Sequence, residues 1–156
     1  MRFVDRLRPE LIRVAPAWRT FAETVDGLLA ALVAAHELPA ALAASAAAAI
    51  GRREAEASTA LLDIAAGVPH ARLPGLPRAL VAIAADRAGL YEAVPTVSIQ
   101  IVALVLSPPA AVADHLSILA DMSTLLRSGE LRASLLGARD GAEALTALRR
   151  HARGMP

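Results

Sequence analysis

Hydrophobic positions in the first third of the chain recur at helical spacing. From Pro16 onward, Trp18, Phe21, Val25, Leu28, Leu29 and Leu32 share one face, while Arg19, Glu23 and Asp26 lie off it. Ahead of them, Pro9 to Val14 reads as a short first strand. The helix is expected to end near His36-Glu37-Leu38-Pro39. Pro39 suits the first turn of a second helix, running to about Glu56. That segment is rich in alanine, so its helix propensity is high and its packing must be close.

The pattern then changes. Gly67, Pro69, Pro74 and Gly75 rule out one continuous helix from Ser58 to Leu76. A short apolar strand is predicted over Ala79 to Ala84, followed by a turn at Asp86-Arg87-Ala88-Gly89. Val97 to Leu106 is uncharged and rich in β-branched residues, which predicts a central strand buried on both faces. Pro108-Pro109 stops it. The last third returns to helical spacing: Ala110 to Arg127 repeats Leu116, Leu119, Met122, Leu125 and Leu126. Ser128-Gly129 breaks that helix, and Glu130 to Leu136 forms a short one ending at Gly137. Asp140-Gly141-Ala142-Glu143 has capping-box spacing and opens a last helix to about His151. Helices, short strands and helices again imply the α/β class: one domain over residues 1–156, with a small mixed β-sheet flanked by helices.

Composition narrows this picture. A chain of 156 residues supports one real core, whereas two domains of this total length would each be marginal. Hydrophobic residues make up 56% but aromatics only 3%, and much of the apolar count is alanine, so the core must rest on Leu, Ile and Val. There is no lysine, no asparagine and no cysteine. Disulfides, thiolate catalysis and thiolate metal sites are therefore excluded. The net charge of +1 gives no overall field favouring nucleic acid. The mean hydropathy of +0.48 raises the question of a membrane span. Gly27 to Ile50 is interrupted by His36, Glu37 and Pro39, and Val94 to Val112 contains Pro95, Pro108 and Pro109. Neither meets the need for about 20 unbroken apolar residues. Met1 to Arg6 is charged and lacks the apolar core of a signal peptide. The expectation is a soluble, cytoplasmic protein with no direct membrane insertion.

The candidate chemistry centres on histidine. His36 sits at an expected helix C-terminus, where a cation is mildly favourable and a structural role suffices. His151 lies in an Arg-rich tail expected to fray. His70 differs, standing in Gly67-Val68-Pro69-His70-Ala71-Arg72. Pro69 fixes its own φ, Gly67 permits close approach or an unusual turn, and Arg72 can meet an anion bidentately. A braced imidazole beside guanidinium groups suits phosphoryl handling, because imidazole attacks phosphorus well and its phosphoramidate is labile enough to pass the group on. The same string also fits an ordinary turn. His115 falls in the first turn or so of the helix after Pro108-Pro109, where backbone amides favour anions. Its neighbour Asp114 either orients a ring or merely starts the helix. Arg52-Arg53-Glu54 at the end of the second helix reads, on spacing alone, as a solvated charge cluster.

Taken in order, these segments resemble the fructose/mannitol-type enzyme IIA family of the bacterial phosphotransferase system, which includes nitrogen-regulatory members. That family carries an Arg-Glu pair, a nearby Ser-Thr, an apolar run ending in Pro-His, then an apolar strand, a proline and a helix beginning His-Leu. Here these are Arg53-Glu54, Ser58-Thr59, Ile64 to Pro69-His70, Ile101 to Leu106 with Pro108, and His115-Leu116. The resemblance implies the enzyme IIA fold. It implies that His70 accepts a phosphoryl group from the phosphocarrier HPr and passes it to a cysteine of an enzyme IIB in phosphoenolpyruvate-dependent sugar transport. His115 would orient the phosphorylated site, Arg53 would compensate its charge, and Ser58, Thr59 and Arg72 would contact phosphate. No metal or organic cofactor is implied.

The sequence departs from the family after Thr59: Ala60-Leu61-Leu62-Asp63 lacks the usual glycines, and the segment to His70 is one residue longer. Two alternatives follow. One is a nitrogen-type regulatory protein that binds a target according to its phosphorylation state. The other is a degenerate interaction domain. If the paired-histidine reading holds, His70 is accessible and the two imidazoles lie within about 10 Å, the reach of one phosphate and a water.

Overall fold

A computed structural model describes residues 3–155. Its centre is a six-stranded mixed sheet in the order β1-β5-β8-β3-β2, with β4 also pairing with β8. The strands are β1 (Ile12–Val14), β2 (Ala60–Leu61), β3 (Ala66–Gly67), β4 (His70–Arg72), β5 (Leu80–Ala85) and β8 (Ile101–Ser107). β6 (Tyr91–Val94) and β7 (Val97–Ile99) form a separate hairpin. Five helices surround the sheet: α1 (Phe21–Ala34), α2 (Ala43–Glu56), α3 (Val112–Leu126), α4 (Gly129–Gly137) and α5 (Gly141–Arg153). Single turns of 3-10 helix stand at Phe3–Arg6, Pro9–Leu11, Ala40–Leu42 and Leu62–Ile64.

Every residue of β5 and β8 is buried. Such strands need apolar side chains on both faces, which their runs of Leu, Val, Ile and Ala supply. β5 pairs antiparallel along one edge of β8, from Leu80↔Leu106 to Ala85↔Ile101. The other edge is shared in parallel: β3 takes Ile101 and Val102, and β4 takes Val105 to Ser107.

The expected strand from Val97 to Leu106 is therefore corrected to two. Val97–Ile99 turns away to pair with β6, and only Ile101–Ser107 is central. Gln100 is the joint. Its amide donates to Ala65 O at 2.8 Å, its carbonyl accepts from Asp86 N at 2.9 Å, and its side chain donates to Arg87 O at 3.0 Å. The first strand is also shorter than expected, because Pro9–Leu11 closes a 3-10 turn ahead of β1.

Trp18 is not on the helix. Thr20 caps α1 by accepting from Glu23 N at 3.0 Å, and the indole folds back over Gly27, where an added Cβ would lie 2.0 Å from the ring. At the other end, His36 adopts φ 59° and closes a Schellman motif: Glu37 N donates to Leu32 O and His36 N to Val33 O. His36 thus ends the helix through its backbone, and its side chain is exposed. The capping box of α5 is half made. Asp140 accepts from Glu143 N at 2.9 Å, but the Glu143 carboxylate takes Arg139 Nε instead of reaching back. His151 is not frayed; it lies within α5 and its Nδ1–H donates to Ala147 O.

Gly67 is needed for close approach. A Cβ there would stand 2.4 Å from Tyr91 Oη. That hydroxyl is buried and, among the described residues, has no hydrogen-bond partner. Burial, and then the nearby Glu54 carboxylate, push the phenol far above its ordinary range. A buried unpaired hydroxyl costs about 1–3 kcal/mol. Tyr91→Phe keeps the edge-to-face contact with Phe21 and removes that cost. It is expected to raise the urea midpoint, by an amount equivalent to about 1 kcal/mol. A lowered midpoint would mean that the phenol has a partner.

Candidate functional site

β4 presents alternate side chains to one face, so His70 and Arg72 point the same way and Ala71 points into the core. The register pairs Arg72 with Ser107, which places Ser107 on that same face of the neighbouring strand. The chain then turns through Pro108-Pro109 into α3, whose first turn brings His115 back over the end of β8. α2 packs against β4. Ala49, Arg52, Arg53 and Glu56, spaced at i, i+3, i+4 and i+7, line a cleft of about 300 Å³ together with His70, Ala71, Arg72 and His115.

The two imidazoles face each other with ring centroids 5.5 Å apart and planes inclined at 59°. His70 is half-buried. Its Nδ1 lies 2.8 Å from the carbonyl oxygen of Val68. A carbonyl only accepts, so Nδ1 carries the proton and the neutral ring keeps its lone pair on Nε2. That is the arrangement a nucleophile requires. His115 is only 4% exposed. Its Nδ1 lies 2.7 Å from Ser107 Oγ. Burial first, then the positive field of Arg72 and the neighbouring His70, hold its pKa below the usual imidazole value, and Asp114 opposes this only in part. Asp114 is itself gripped at both oxygens by the Arg6 guanidinium, at 2.8 and 3.0 Å, which ties the start of α3 to the N-terminal turn.

The surrounding charge is positive. Among the described residues, none of Arg52, Arg53 and Arg72 forms an ion pair. Arg53 donates to Ala57 O at 3.0 Å and Arg72 to Pro109 O at 3.3 Å. These carbonyl contacts position the guanidinium groups without neutralising them. Unpaired guanidinium groups beside a nucleophilic nitrogen favour an anion with several oxygens.

Ser58 and Thr59 are not brought into this cleft. Glu54, one helical turn earlier, accepts from both hydroxyls and from Thr59 N at 3.0 Å. The structure thus gathers His70, His115, Arg53 and Arg72, and leaves Ser58 and Thr59 as partners of a carboxylate. It adds Arg52 and Glu56 to the lining and places Ser107 behind His115. The spacing of Ala49, Arg52, Arg53 and Glu56 carried that signal in the sequence; Ser107, at the end of an apolar strand, carried it only as an isolated hydroxyl. Among the described residues no cluster of His, Asp or Glu is arranged to hold a metal ion.

The fold has solved counterparts. The nitrogen regulatory protein IIA-Ntr from Neisseria meningitidis superposes with a TM-score of 0.80 at 20% identity, covering 94% of this chain and 98% of that one. The chain has the enzyme IIA fold. The mannitol IIA of Escherichia coli gives 0.73 at 17% identity, over 91% of this chain and 98% of that one. The same kind of IIA in complex with phosphorylated enzyme IIB of E. coli gives 0.72 at 16% identity, over 92% and 97%. No family model and no curated protein sequence matches the chain. The IIA fold is thus shown by structure at identities too low to carry function with it. Among the described residues, no helix is long and apolar enough to cross a membrane.

The depressed pKa of His115 has a consequence for stability. The unfolded chain takes up this proton more readily than the folded one, so His115 contributes to stability above the unfolded value of about 6.5. That contribution is lost as pH falls through this value towards the folded one. Urea unfolding followed between about pH 5 and 8 is expected to show stability rising with pH, with a smaller slope in His115→Gln. An unchanged slope would show that His115 titrates normally.

Proposed function

We propose that this protein is a phosphocarrier whose His70 accepts and passes on a phosphoryl group. The observation that carries the reading is the Nε2 lone pair of His70, fixed by the Val68 carbonyl and facing a cleft with His115, Arg53 and Arg72. In the step proposed, Nε2 attacks the phosphorus of a phosphohistidine on an HPr-like donor. The new N–P bond forms as the donor's N–P bond breaks, and the donor imidazole leaves with its electron pair. The group then moves from Nε2 to a cysteine thiolate of an enzyme IIB by the same displacement. Catalysis of this kind is chiefly positioning and charge stabilisation, and the arginines and His115 supply both.

Sugar transport and nitrogen-type regulation share this chemistry and differ in the acceptor. The likeness to a IIA solved together with phosphorylated enzyme IIB supports an acceptor of that kind. The superposition on a nitrogen regulatory IIA supports the second reading, in which phospho-His70 switches the binding of a target protein.

The test is incubation with enzyme I, HPr and labelled phosphoenolpyruvate. Wild type is expected to take up acid-labile label and His70→Ala none, with circular dichroism confirming that the variant is folded. His115→Ala should retain labelling by HPr and slow onward transfer. Arg53→Ala should lower the steady-state label, in keeping with the loss of a charge-assisted partner contributing about 1.5–3 kcal/mol. Losing the nucleophile is categorical, while losing a stabilising group is graded. Acid-labile label on folded His70→Ala would overturn the assignment. Absence of label on wild type with several bacterial HPr proteins would favour an interaction domain without phosphoryl transfer.

A further inference from the structure

Ser107 ends a strand that is otherwise Ile, Val, Ala and Leu, and it is fully buried. A hydroxyl in such a place needs a partner for its proton. The one partner found among the described residues is His115 Nδ1, at 2.7 Å. Two proton arrangements fit that distance. If Nδ1 carried the proton, the serine would accept and its own O–H would be left buried without an acceptor. If Nδ1 is bare, the serine donates and nothing is left unpaired. The second is favoured by the desolvation cost of an orphaned donor.

We infer that Ser107 is a positioning residue for the phosphoryl site: its hydroxyl donates to His115 Nδ1 and so holds the neutral ring as the Nε2–H tautomer. This rests on the phosphocarrier reading for its purpose, though not for its geometry. The two histidines then have opposite proton inventories. His70 is protonated on Nδ1 by its bond to Val68 O and has a bare Nε2; His115 is bare on Nδ1 and has a proton on Nε2. One ring attacks phosphorus, and the other donates a hydrogen bond to a phosphoryl oxygen. With the opposite tautomer, His115 would aim a lone pair at those oxygens. Its depressed pKa, caused by burial, Arg72 and His70 against the weaker pull of Asp114, keeps the ring neutral and makes the choice of tautomer matter.

The test is nitrogen-15 NMR of the histidine rings in the full chain, with His115 assigned by substitution of the other three histidines one at a time. In wild type near pH 7.5 the proton of His115 is expected on Nε2. Ser107→Ala should move the tautomer ratio towards Nδ1–H by about fivefold to tenfold, the factor matching one hydrogen bond. Ser107→Cys, which keeps a weaker donor of similar size, should fall between. Backbone amide shifts away from the site report whether each variant is folded. In the labelling assay, Ser107→Ala should slow onward transfer from phospho-His70 by about threefold to tenfold, with the apparent KM for HPr unchanged. Finding Nδ1–H in wild type, or a ratio unchanged in folded Ser107→Ala, overturns the inference. If wild type takes up no label yet shows the expected tautomer and its response to Ser107→Ala, the phosphocarrier reading fails and the tautomer assignment stands.

Discussion

The pairing of β4 with the end of β8 is the constraint from which the site follows. Three residues in parallel register set His70 against Val105 and Arg72 against Ser107. The strand alternation then puts the His70 and Arg72 side chains and the Ser107 hydroxyl, which bonds His115, on one face. β8 can hold this position because its other edge is locked to β5 over six residue pairs and all its own side chains are buried. Each fully buried Leu, Ile or Val contributes about 1.5–3 kcal/mol. The rigidity of the site is thus a by-product of the core, and α3 starts from the same anchor after the Pro108-Pro109 turn.

Around that anchor the protein gathers cations without pairing them with carboxylates, among the described residues. Arg6, Arg8, Arg78, Arg127 and Arg139 all meet carboxylates. The arginines lining the cleft meet only carbonyls or solvent. An unneutralised guanidinium cluster is unfavourable in the empty state and becomes favourable when an anion arrives. The buried His115 adds a donor that carries no charge of its own, so it does not deepen the repulsion among the arginines.

Much of this was legible in the chain. The helices showed through their apolar spacing, and the core strand through its uncharged β-branched run. His70 stood out by its neighbours Pro69 and Arg72, whereas Arg53 and the role of His115 came only from the family resemblance. What escaped was set by contacts across the fold. Nothing local marks Gln100 as the residue that ends one strand and begins another, since its three bonds go to Ala65, Asp86 and Arg87. Trp18 fits the helical period but precedes the Thr20 cap, and its indole lies instead against Gly27. The family resemblance implies Ser58 and Thr59 as phosphate ligands, but a carboxylate four and five residues earlier accepts from both hydroxyls.

That hold by Glu54 reaches the backbone beside His70. Ala60 pairs with Gly67 in an antiparallel ladder, so the next rung outward joins Thr59 and Val68. Such a rung exchanges two bonds. One is made, Val68 N to Thr59 O at 3.2 Å. The reciprocal bond is absent because Thr59 N is spent on Glu54, and the Val68 carbonyl left over is the acceptor for His70 Nδ1. A glutamate in the last turn of α2 thus takes the amide that would have closed one more rung of the sheet. The end of the ladder hands the Thr59 amide to Glu54 and the Val68 carbonyl to His70, so a sheet edge and an imidazole are held by the same short stretch of backbone.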